Sequence, residues 1–292
     1  MHMGLVGLGR MGAGMARRLR RAGHQVTGYD PSSEASVASL AALVDALPAP
    51  RHIWVMVPAG APTRESLDEL ARLLGSGDHL VDGGNSHYVE AAPRAARLAE
   101  QGVDMLDVGT SGGVLGEEHG YSLMVGGSEQ GVAAWRPVLE ALAPSPEKGW
   151  AHVGASGAGH FAKMIHNGIE YGMMQAIAEG VAVMQADGEP RVDVPAALHA
   201  WRSGSIVSSM LLDLTEEILG ANPALSGVGH EVADSGEGRW AVAAAIERDV
   251  AAPVITQALL ERLRSRDEAR FADRLLAAMR GGFGGHHVPD AS

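Results

Sequence analysis

The chain has 292 residues, of which 46% are hydrophobic and 20% charged, and its formal net charge is −12. This length suits two domains, since single hydrophobic cores stop growing at about 250 to 300 residues, and the composition excludes disordered, fibrous and membrane proteins. The acidic balance argues against a nucleic-acid or anionic-membrane partner, and the absence of cysteine excludes disulfides, thiol nucleophiles and thiolate metal sites.

No basic flank precedes the apolar run that follows Met1, and no apolar run reaches about 18 residues. We therefore expect neither a signal peptide nor a membrane span. A cytoplasmic location is predicted, and no metal site.

The first half of the chain alternates short apolar runs with amphipathic stretches, as βαβ units of a parallel sheet do. We predict an α/β fold whose Rossmann-type, doubly wound domain covers residues 1–153. The strands are expected over residues 4–7, 25–29, 53–57, 79–81, 103–106, 122–125 and 151–153, with helices such as 11–21 and 63–74.

After Gly154 this alternation stops, and an all-α C-terminal domain is predicted over residues 154–292. The segment from Gly281 to His287 contains too much glycine for a helix, because each glycine costs about 1 kcal/mol there. It is predicted to be a tail. The helices are expected over residues 155–186, 194–201, 206–219, 239–250 and 256–279.

A glycine-rich segment follows the first predicted strand and opens the first helix. Its glycines match the Gly-x-Gly-x-x-Gly pattern that brings a dinucleotide pyrophosphate to the backbone at a helix N-terminus. By itself the pattern is equally consistent with a turn that holds no ligand. The predicted cofactor contacts here are Gly7, Leu8, Gly9, Arg10, Met11 and Gly12.

Asp30 strengthens this interpretation. It ends the second strand about 20 residues after the first glycine, where a carboxylate can accept hydrogen bonds from both ribose hydroxyls. A 2′-phosphate would be repelled there, and Pro31, Ser32 and Ser33 offer no arginine, so NAD is favoured over NADP. The alternative is that Asp30 caps the next helix.

Four polar residues share one face of the long apolar helix predicted after residue 155. They are Lys163, His166, Asn167 and Glu170, spaced i, i+3, i+4 and i+7. Arginine meets nearly every other need for positive charge in the chain, whereas the pKa of a desolvated lysine moves readily towards neutrality. Lys163 is therefore the predicted general base. The alternatives are a surface ion-pair ladder of Lys163 with Glu170 and a core position for His166.

Taken together, the motifs resemble the 6-phosphogluconate dehydrogenase family, and the chain length resembles the family's short bacterial form. Residues 82–86, Asp-Gly-Gly-Asn-Ser, look like the family's substrate loop. Residues 109–113, with 122–124 and 126–127, look like its Ser-Gly-Gly signature. Residues 159–171 are similar to its catalytic helix, and this match is the most specific.

The resemblance implies oxidative decarboxylation of 6-phosphogluconate to ribulose 5-phosphate and carbon dioxide with reduction of NAD, a reaction of the pentose phosphate pathway. In that mechanism Lys163 takes the proton of the substrate 3-hydroxyl and then holds the developing oxyanion. Glu170, neutral at that step, protonates C1 of the enediol. The C-terminal domain would bind substrate and mediate dimerisation.

The resemblance also assigns contacts to the substrate and adds Val57 and Asn85 to the cofactor contacts. Without it, the glycine loops would be read as plain turns. The implied substrate contacts are Asn85, Ser111, Gly112, Gly113, His166, Asn167, Tyr171, Ser235, Arg262, Arg280 and His286.

Three features of this set concern the phosphate and the tail. Tyr171 and Arg262 would reach the substrate phosphate. Arg280 and His286 would enter the site of a neighbouring subunit in a homodimer or homotetramer. Ser235 departs from the pattern, because longer members have a phosphate-binding lysine there, and an arginine elsewhere could replace its charge.

Two other functions stay open. A 3-hydroxyisobutyrate-type dehydrogenase shares the cofactor domain, the Ser-Gly-Gly loop and the lysine helix. Its members resemble Lys-x-x-Asn-Asn, whereas this chain has His166, Asn167 and Gly168 after the lysine. A nucleotide-sensing module without catalysis would not need Lys163, Asn167 and Glu170 together.

Overall fold

The computed structural model describes residues 1–32 and 35–284, the last four of them by their backbone alone. The chain divides into two compact units, Met1–Gly168 and Ile169–Ser292. The predicted domain boundary at 153/154 stays a prediction. In the described ranges no helix has the length and apolar character that crossing a membrane requires.

Seven strands of the first unit form one sheet in the order β2-β1-β3-β4-β5-β6-β7, and β1 to β5 run parallel. Because β1 lies between β2 and β3, the chain order reverses at its carboxyl end, where doubly wound sheets bind nucleotides. The predicted fold class is confirmed. The strands are β1 (His2–Val6), β2 (Gln25–Tyr29), β3 (His52–Val55), β4 (His79–Asp82), β5 (Asp104–Ser111), β6 (Ser122–Gly126) and β7 (Trp150–Gly154).

The prediction of a parallel sheet is wrong at one edge. Strand β6 runs antiparallel to β5, with Ser111 opposite Ser122 and Asp107 opposite Gly126, and β7 then runs parallel to β6. Residues 112–121 alone join β5 to β6, whereas a crossover that returns a strand in parallel needs about a dozen residues or more.

Helices cover both faces of this sheet, and each face has its own hydrophobic core. Successive strand residues alternate between the two, so that Leu5 is buried in one core and Val6 in the other. Full burial of such a side chain stabilises the fold by about 1.5–3 kcal/mol. The helices are α1 (Arg10–Arg21), α2 (Leu40–Asp45), α3 (Ala61–Leu73), α4 (Ala91–Glu100), α5 (Gly116–His119), α6 (Glu129–Leu142) and α7 (Ala158–Gln185).

Within the described residues, the second unit contains helices and no strand, as predicted. Helix α7 continues into it from the first unit. Helix α9 begins four residues later than predicted because the Ser209 side chain accepts a hydrogen bond from the Leu212 amide and caps it there. The further helices are α8 (Val194–Trp201), α9 (Met210–Ala221), α10 (Glu237–Glu247), α11 (Pro253–Arg264) and α12 (Phe271–Gly284).

Two predictions for the C-terminal helices are wrong. The single helix expected over residues 256–279 is two helices, because the Asp267 side chain accepts the Arg270 amide in a turn and Arg270 adopts a φ of 46°. The glycine segment expected to be non-helical continues α12 as far as Gly284. Extending an existing helix adds one hydrogen bond per residue, which offsets the cost of glycine.

Candidate active site

The glycine loop after β1 has the geometry of a pyrophosphate cradle. Gly7 has a φ of +91°, and a Cβ there would lie 2.4 Å from the Met56 carbonyl oxygen, while a Cβ on Gly12 would lie 1.9 Å from the Gly7 oxygen. A Cβ on Gly9 would meet no described atom within 4 Å. Gly9 is also the N-cap of α1, whose first turn receives no side-chain cap from the described residues. The loop therefore fits a bound anion that approaches the amides of α1.

Asp30 is joined to this loop by hydrogen bonds. Its Oδ2 accepts the Leu8 amide at 2.6 Å and its Oδ1 accepts the Ser32 amide at 2.7 Å. Asp30 does not cap the next helix, because Ser39 caps α2 with its own side chain. A carboxylate beside the glycine loop at the end of β2 suits recognition of a ribose diol.

Val57 and Asn85 follow the ends of neighbouring strands, β3 and β4. Val57 is half-buried, and its Cγ1 would lie 2.9 Å from a Cβ on Gly7, so it borders the glycine loop. Asn85 is exposed. Both positions lie at the carboxyl edge of the sheet, which is the edge that binds nucleotides in this architecture.

The start of α7 is fixed to the sheet by a buried carboxylate. Asp107 on β5 accepts the Gly157 amide at 2.7 Å and the His160 amide at 2.9 Å, so it caps the helix N-terminus. Helix and strand then come very close, since a Cβ on Gly109 would lie 2.3 Å from the Lys163 Cβ. This contact places the predicted general base directly against β5.

Lys163 and Asn167 are each only 8% exposed, so a solvated surface ladder does not describe Lys163. His166, between them, is half-buried and lies 3.1 Å from Asn167 through Nδ1 and 3.3 Å from Ser111 through Nε2. The Asn167 oxygen can only accept, so Nδ1 donates to it. In the neutral ring Nε2 then accepts the Ser111 hydroxyl. The structure thus brings four predicted site residues together.

Gly112 and Gly113 follow Ser111 directly and form the turn that leaves β5. Their φ angles are +128° and +53°, a region that side-chain-bearing residues avoid. Gly112 is half-buried and Gly113 is exposed. The chain therefore turns directly after Ser111 at two positions that favour glycine.

The second unit holds the remaining described site residues. Glu170 is half-buried on α7, seven residues after Lys163. Tyr171 is 6% exposed, and the Arg262 guanidinium lies 3.5 Å from its ring centroid in a cation–π contact. Arg262 also donates to the Ala233 carbonyl at 2.8 Å. The Tyr171 hydroxyl is buried without a hydrogen-bond partner among the described side chains, so it can still serve a ligand.

Ser235, the position that departs from the family pattern, contacts an acidic side chain. The exposed Ser235 hydroxyl donates to the carboxylate of Glu237, which is buried at the start of α10. The nearby Arg239 donates to Asp234 at 2.5 Å. Arg239 is thus held in an ion pair. Burial would raise the pKa of Asp234, but the hydrogen bonds that its carboxylate accepts and the nearby arginine charges together outweigh burial, so this pKa lies below its ordinary value.

The two tail residues differ in what the structure shows. Arg280 is exposed on α12. His286 lies outside the described residues. Among those residues no group of three His, Asp or Glu side chains is arranged to hold a metal ion.

Sequence reasoning missed three buried ionisable residues around the start of α7, namely Asp82, Asp107 and His160. Each lies inside or beside one of the motifs at residues 82–86, 109–113 and 159–171, in which other residues carry the predicted contacts. The signal that could have found them is an ionisable residue inside an apolar stretch, such as Asp107 between Leu106 and Val108, because such residues are rarely buried without a partner.

Family models match both parts of the chain. The family model described as the NAD-binding domain of 6-phosphogluconate dehydrogenase matches residues 2–154, and the model of that enzyme's C-terminal domain matches residues 159–281. A curated relative from Haloferax volcanii, named NAD(+)-dependent, decarboxylating 6-phosphogluconate dehydrogenase, is 42% identical over 299 residues, which cover 99% of this chain and 98% of the relative.

Solved structures show the same similarity. Plasmodium falciparum 6-phosphogluconate dehydrogenase, solved in its apo form, with NADP+ and with 6-phosphogluconate, matches with a TM-score of 0.79 and 25% identity over 100% of this chain and 66% of that chain. Mycobacterium tuberculosis 3-hydroxyisobutyrate dehydrogenase with L-serine matches with a TM-score of 0.71 and 23% identity over 91% of this chain and 94% of that chain, which shows a shared fold alone. The two family models and the full-length relative at 42% identity show that this chain belongs to the 6-phosphogluconate dehydrogenase family.

Proposed function

We propose that the protein oxidises 6-phosphogluconate with NAD and releases ribulose 5-phosphate and carbon dioxide. One observation carries this proposal: Lys163 is buried against Gly109. The same helix presents His166, which is hydrogen-bonded to both Asn167 and Ser111. The Haloferax volcanii relative, whose name states this activity and NAD, supports it.

The cofactor would be held by the glycine loop and Asp30, with Val57 and Asn85 at the neighbouring strand ends. The Gly9 position leaves room for the pyrophosphate, and Asp30 would accept hydrogen bonds from the ribose hydroxyls. NAD, when bound, accepts the hydride from C3 of the substrate.

Lys163 would remove the proton from the substrate 3-hydroxyl as C3 is oxidised to a ketone. The resulting 3-keto acid loses carbon dioxide, and the protonated Lys163 stabilises the negative charge that develops on the C3 oxygen. Ser111 and the Asn167 amide would bind the carboxylate and hydroxyls, with His166 holding both in place through its two ring nitrogens.

Glu170 would then donate the proton that C1 of the enediol needs to give ribulose 5-phosphate. Its position on the same helix, two turns after Lys163, suits two groups that act on different carbons of one sugar, because seven residues rise about 10 Å along a helix. In the second unit, Tyr171 and Arg262 would bind the phosphate through the buried hydroxyl and the guanidinium.

Turnover of the purified protein tests this function. With NAD and 6-phosphogluconate we expect reduced cofactor to appear together with an equal amount of carbon dioxide. Reduced cofactor with 3-hydroxyisobutyrate but not with 6-phosphogluconate would favour the alternative dehydrogenase. NAD binding without turnover of either acid, in folded protein, would favour the binding module.

Cofactor choice gives the first mutational prediction. Exchanging Asp30→Asn and Pro31→Arg together should raise kcat/KM for NADP relative to NAD by about 10- to 100-fold, because a repelling carboxylate is replaced by an amide and a cation is added. The asparagine oxygen can still accept the Leu8 amide that Asp30 now accepts. The ratio of the two kcat/KM values measures this, and an unchanged ratio would contradict the role of Asp30.

We also propose that the protein is a homo-oligomer, a homodimer or homotetramer, in which Arg280 and His286 complete the site of a neighbouring subunit. Deleting residues 280–292 should then raise KM for 6-phosphogluconate by about 10-fold or more, because a charge-assisted contact to the substrate is lost. KM for NAD should stay near the value of the full chain. Equal increases in both constants would indicate a general loss of structure instead.

A further inference from the structure

A buried ion pair that the proposed reaction does not use joins β4 to α7. Asp82, the last residue of β4, is fully buried, and its Oδ2 lies 3.3 Å from Nε2 of His160 in the first turn of α7. His160 is only 2% exposed. Both residues belong to the first unit.

The surroundings of this pair favour the charged form of each residue. Arg94 on α4 lies 4.0 Å from the same Asp82 oxygen and is itself paired with Glu90 at 3.4 Å, and Asp107 accepts the His160 amide. Burial alone would lower the pKa of His160, but Asp82 and then Asp107 outweigh it and raise the pKa above its ordinary value. Burial alone would raise the pKa of Asp82, but His160, together with the other hydrogen bonds that this carboxylate accepts, outweighs burial and lowers the pKa.

The pair connects the loop after β4 to the start of α7, two segments whose relative position matters for the proposed reaction. Asp82 directly precedes the turn that presents Asn85, and its Oδ1 accepts the Gly84 amide of that turn at 3.2 Å. His160 precedes Lys163 by three residues on the same helix, so the two side chains lie on one face. Movement of either partner would displace the loop relative to the lysine.

We propose that the Asp82–His160 ion pair is a positioning element, which fixes the 83–86 loop and the Lys163 helix in the geometry that turnover requires. This inference rests on the proposed function. Fold stability does not account for the pair, because desolvation offsets most of the attraction between buried charges and an apolar pair of similar volume often stabilises a fold at least as well. What this ion pair adds is a fixed separation between the two segments, with 3.3 Å between Asp82 Oδ2 and His160 Nε2.

The test compares Asp82→Asn, His160→Asn and the double variant with Asp78→Asn. Asp78 is a matched control because it is equally buried, immediately precedes the same strand at its opposite end, and is paired with Arg51 at 3.3 Å. For each protein, kcat, KM for 6-phosphogluconate, the Kd for NAD and Tm are measured.

We expect each single variant at the pair to lower kcat/KM by about 10- to 100-fold, since a displacement of about 1 Å costs that much in a positioned site. The Kd for NAD should rise far less than kcat/KM falls, because the glycine loop and Asp30 do not contact the pair and only Asn85 among the proposed cofactor contacts lies on the displaced loop. The Asp78 variant should lose Tm and keep kcat/KM.

The double variant distinguishes an effect on positioning from an effect on fold stability. It also keeps the proposal testable if a single variant does not fold. Because it removes both charges, it leaves no uncompensated buried charge, so its Tm should recover towards the wild-type value while kcat/KM stays low. Recovery of kcat/KM together with Tm would overturn the proposal, as would near-normal kcat/KM in the folded Asp82 variant. A wild-type protein that does not turn over 6-phosphogluconate would overturn the proposed function and this inference with it.

Discussion

Lys163→Arg is expected to lower kcat by about three orders of magnitude, the contribution of a positioned general base. A guanidinium stays protonated at any workable pH, so it can stabilise an oxyanion but cannot take the proton from the 3-hydroxyl. The Kd for NAD should stay near the wild-type value, because the glycine loop and Asp30 are separate from this position. Steady-state kinetics with 6-phosphogluconate and NAD titration check both values.

The chain contains its own control for this exchange. Lys148, the other lysine, is exposed in the turn before β7, where it pairs with Ser145 in an isolated bridge. Lys148→Arg should leave kcat and Tm almost unchanged. Because Lys163 is buried, Lys163→Met is a second variant that removes the amine without adding bulk, and it should lose kcat to a similar extent. Turnover near the wild-type rate in either Lys163 variant would contradict the assignment of the general base.

The parts of the fold that follow from local sequence were predictable. The β1–α1–β2 unit could be predicted because its apolar runs, its glycines and Asp30 lie within about 30 neighbouring residues. The antiparallel direction of β6 depends instead on the length of the 112–121 connection, and sequence patterns define the strand ends that set this length only to within a few residues. The break between α11 and α12 depends on one side-chain turn at Asp267, which helical periodicity does not reveal.

The candidate site divides in the same way. The helical spacing of Lys163, His166 and Asn167 was readable because a helix repeats at a fixed period. The cap of α7 by Asp107 was not, because it joins residues about fifty positions apart, and local propensity carries no information about such contacts. The long-range contacts hold the predicted face against the sheet.

Gly109→Ala should have the second-largest effect, because Gly109 sets how closely α7 approaches β5. An added Cβ would lie 2.3 Å from the Lys163 Cβ and 2.8 Å from the Gly159 carbonyl oxygen. Neither atom is the end of a flexible side chain, so the helix itself must shift. A shift of about 1 Å would misplace the lysine and should lower kcat/KM for 6-phosphogluconate by about 100-fold.

Gly180→Ala provides the matched control on the same helix. Gly180 is exposed in α7, and a Cβ there would meet no described atom within 4 Å. Alanine should therefore stabilise the protein by about 0.5–1 kcal/mol at this helical position and leave kcat unchanged. If Gly109→Ala acted only by destabilising the fold, lowering the assay temperature should bring its kcat back to the wild-type value measured at the same temperature. If kcat stays below the wild-type value at every temperature while the Kd for NAD matches that of the wild type, the spacing between α7 and β5 determines the position of Lys163.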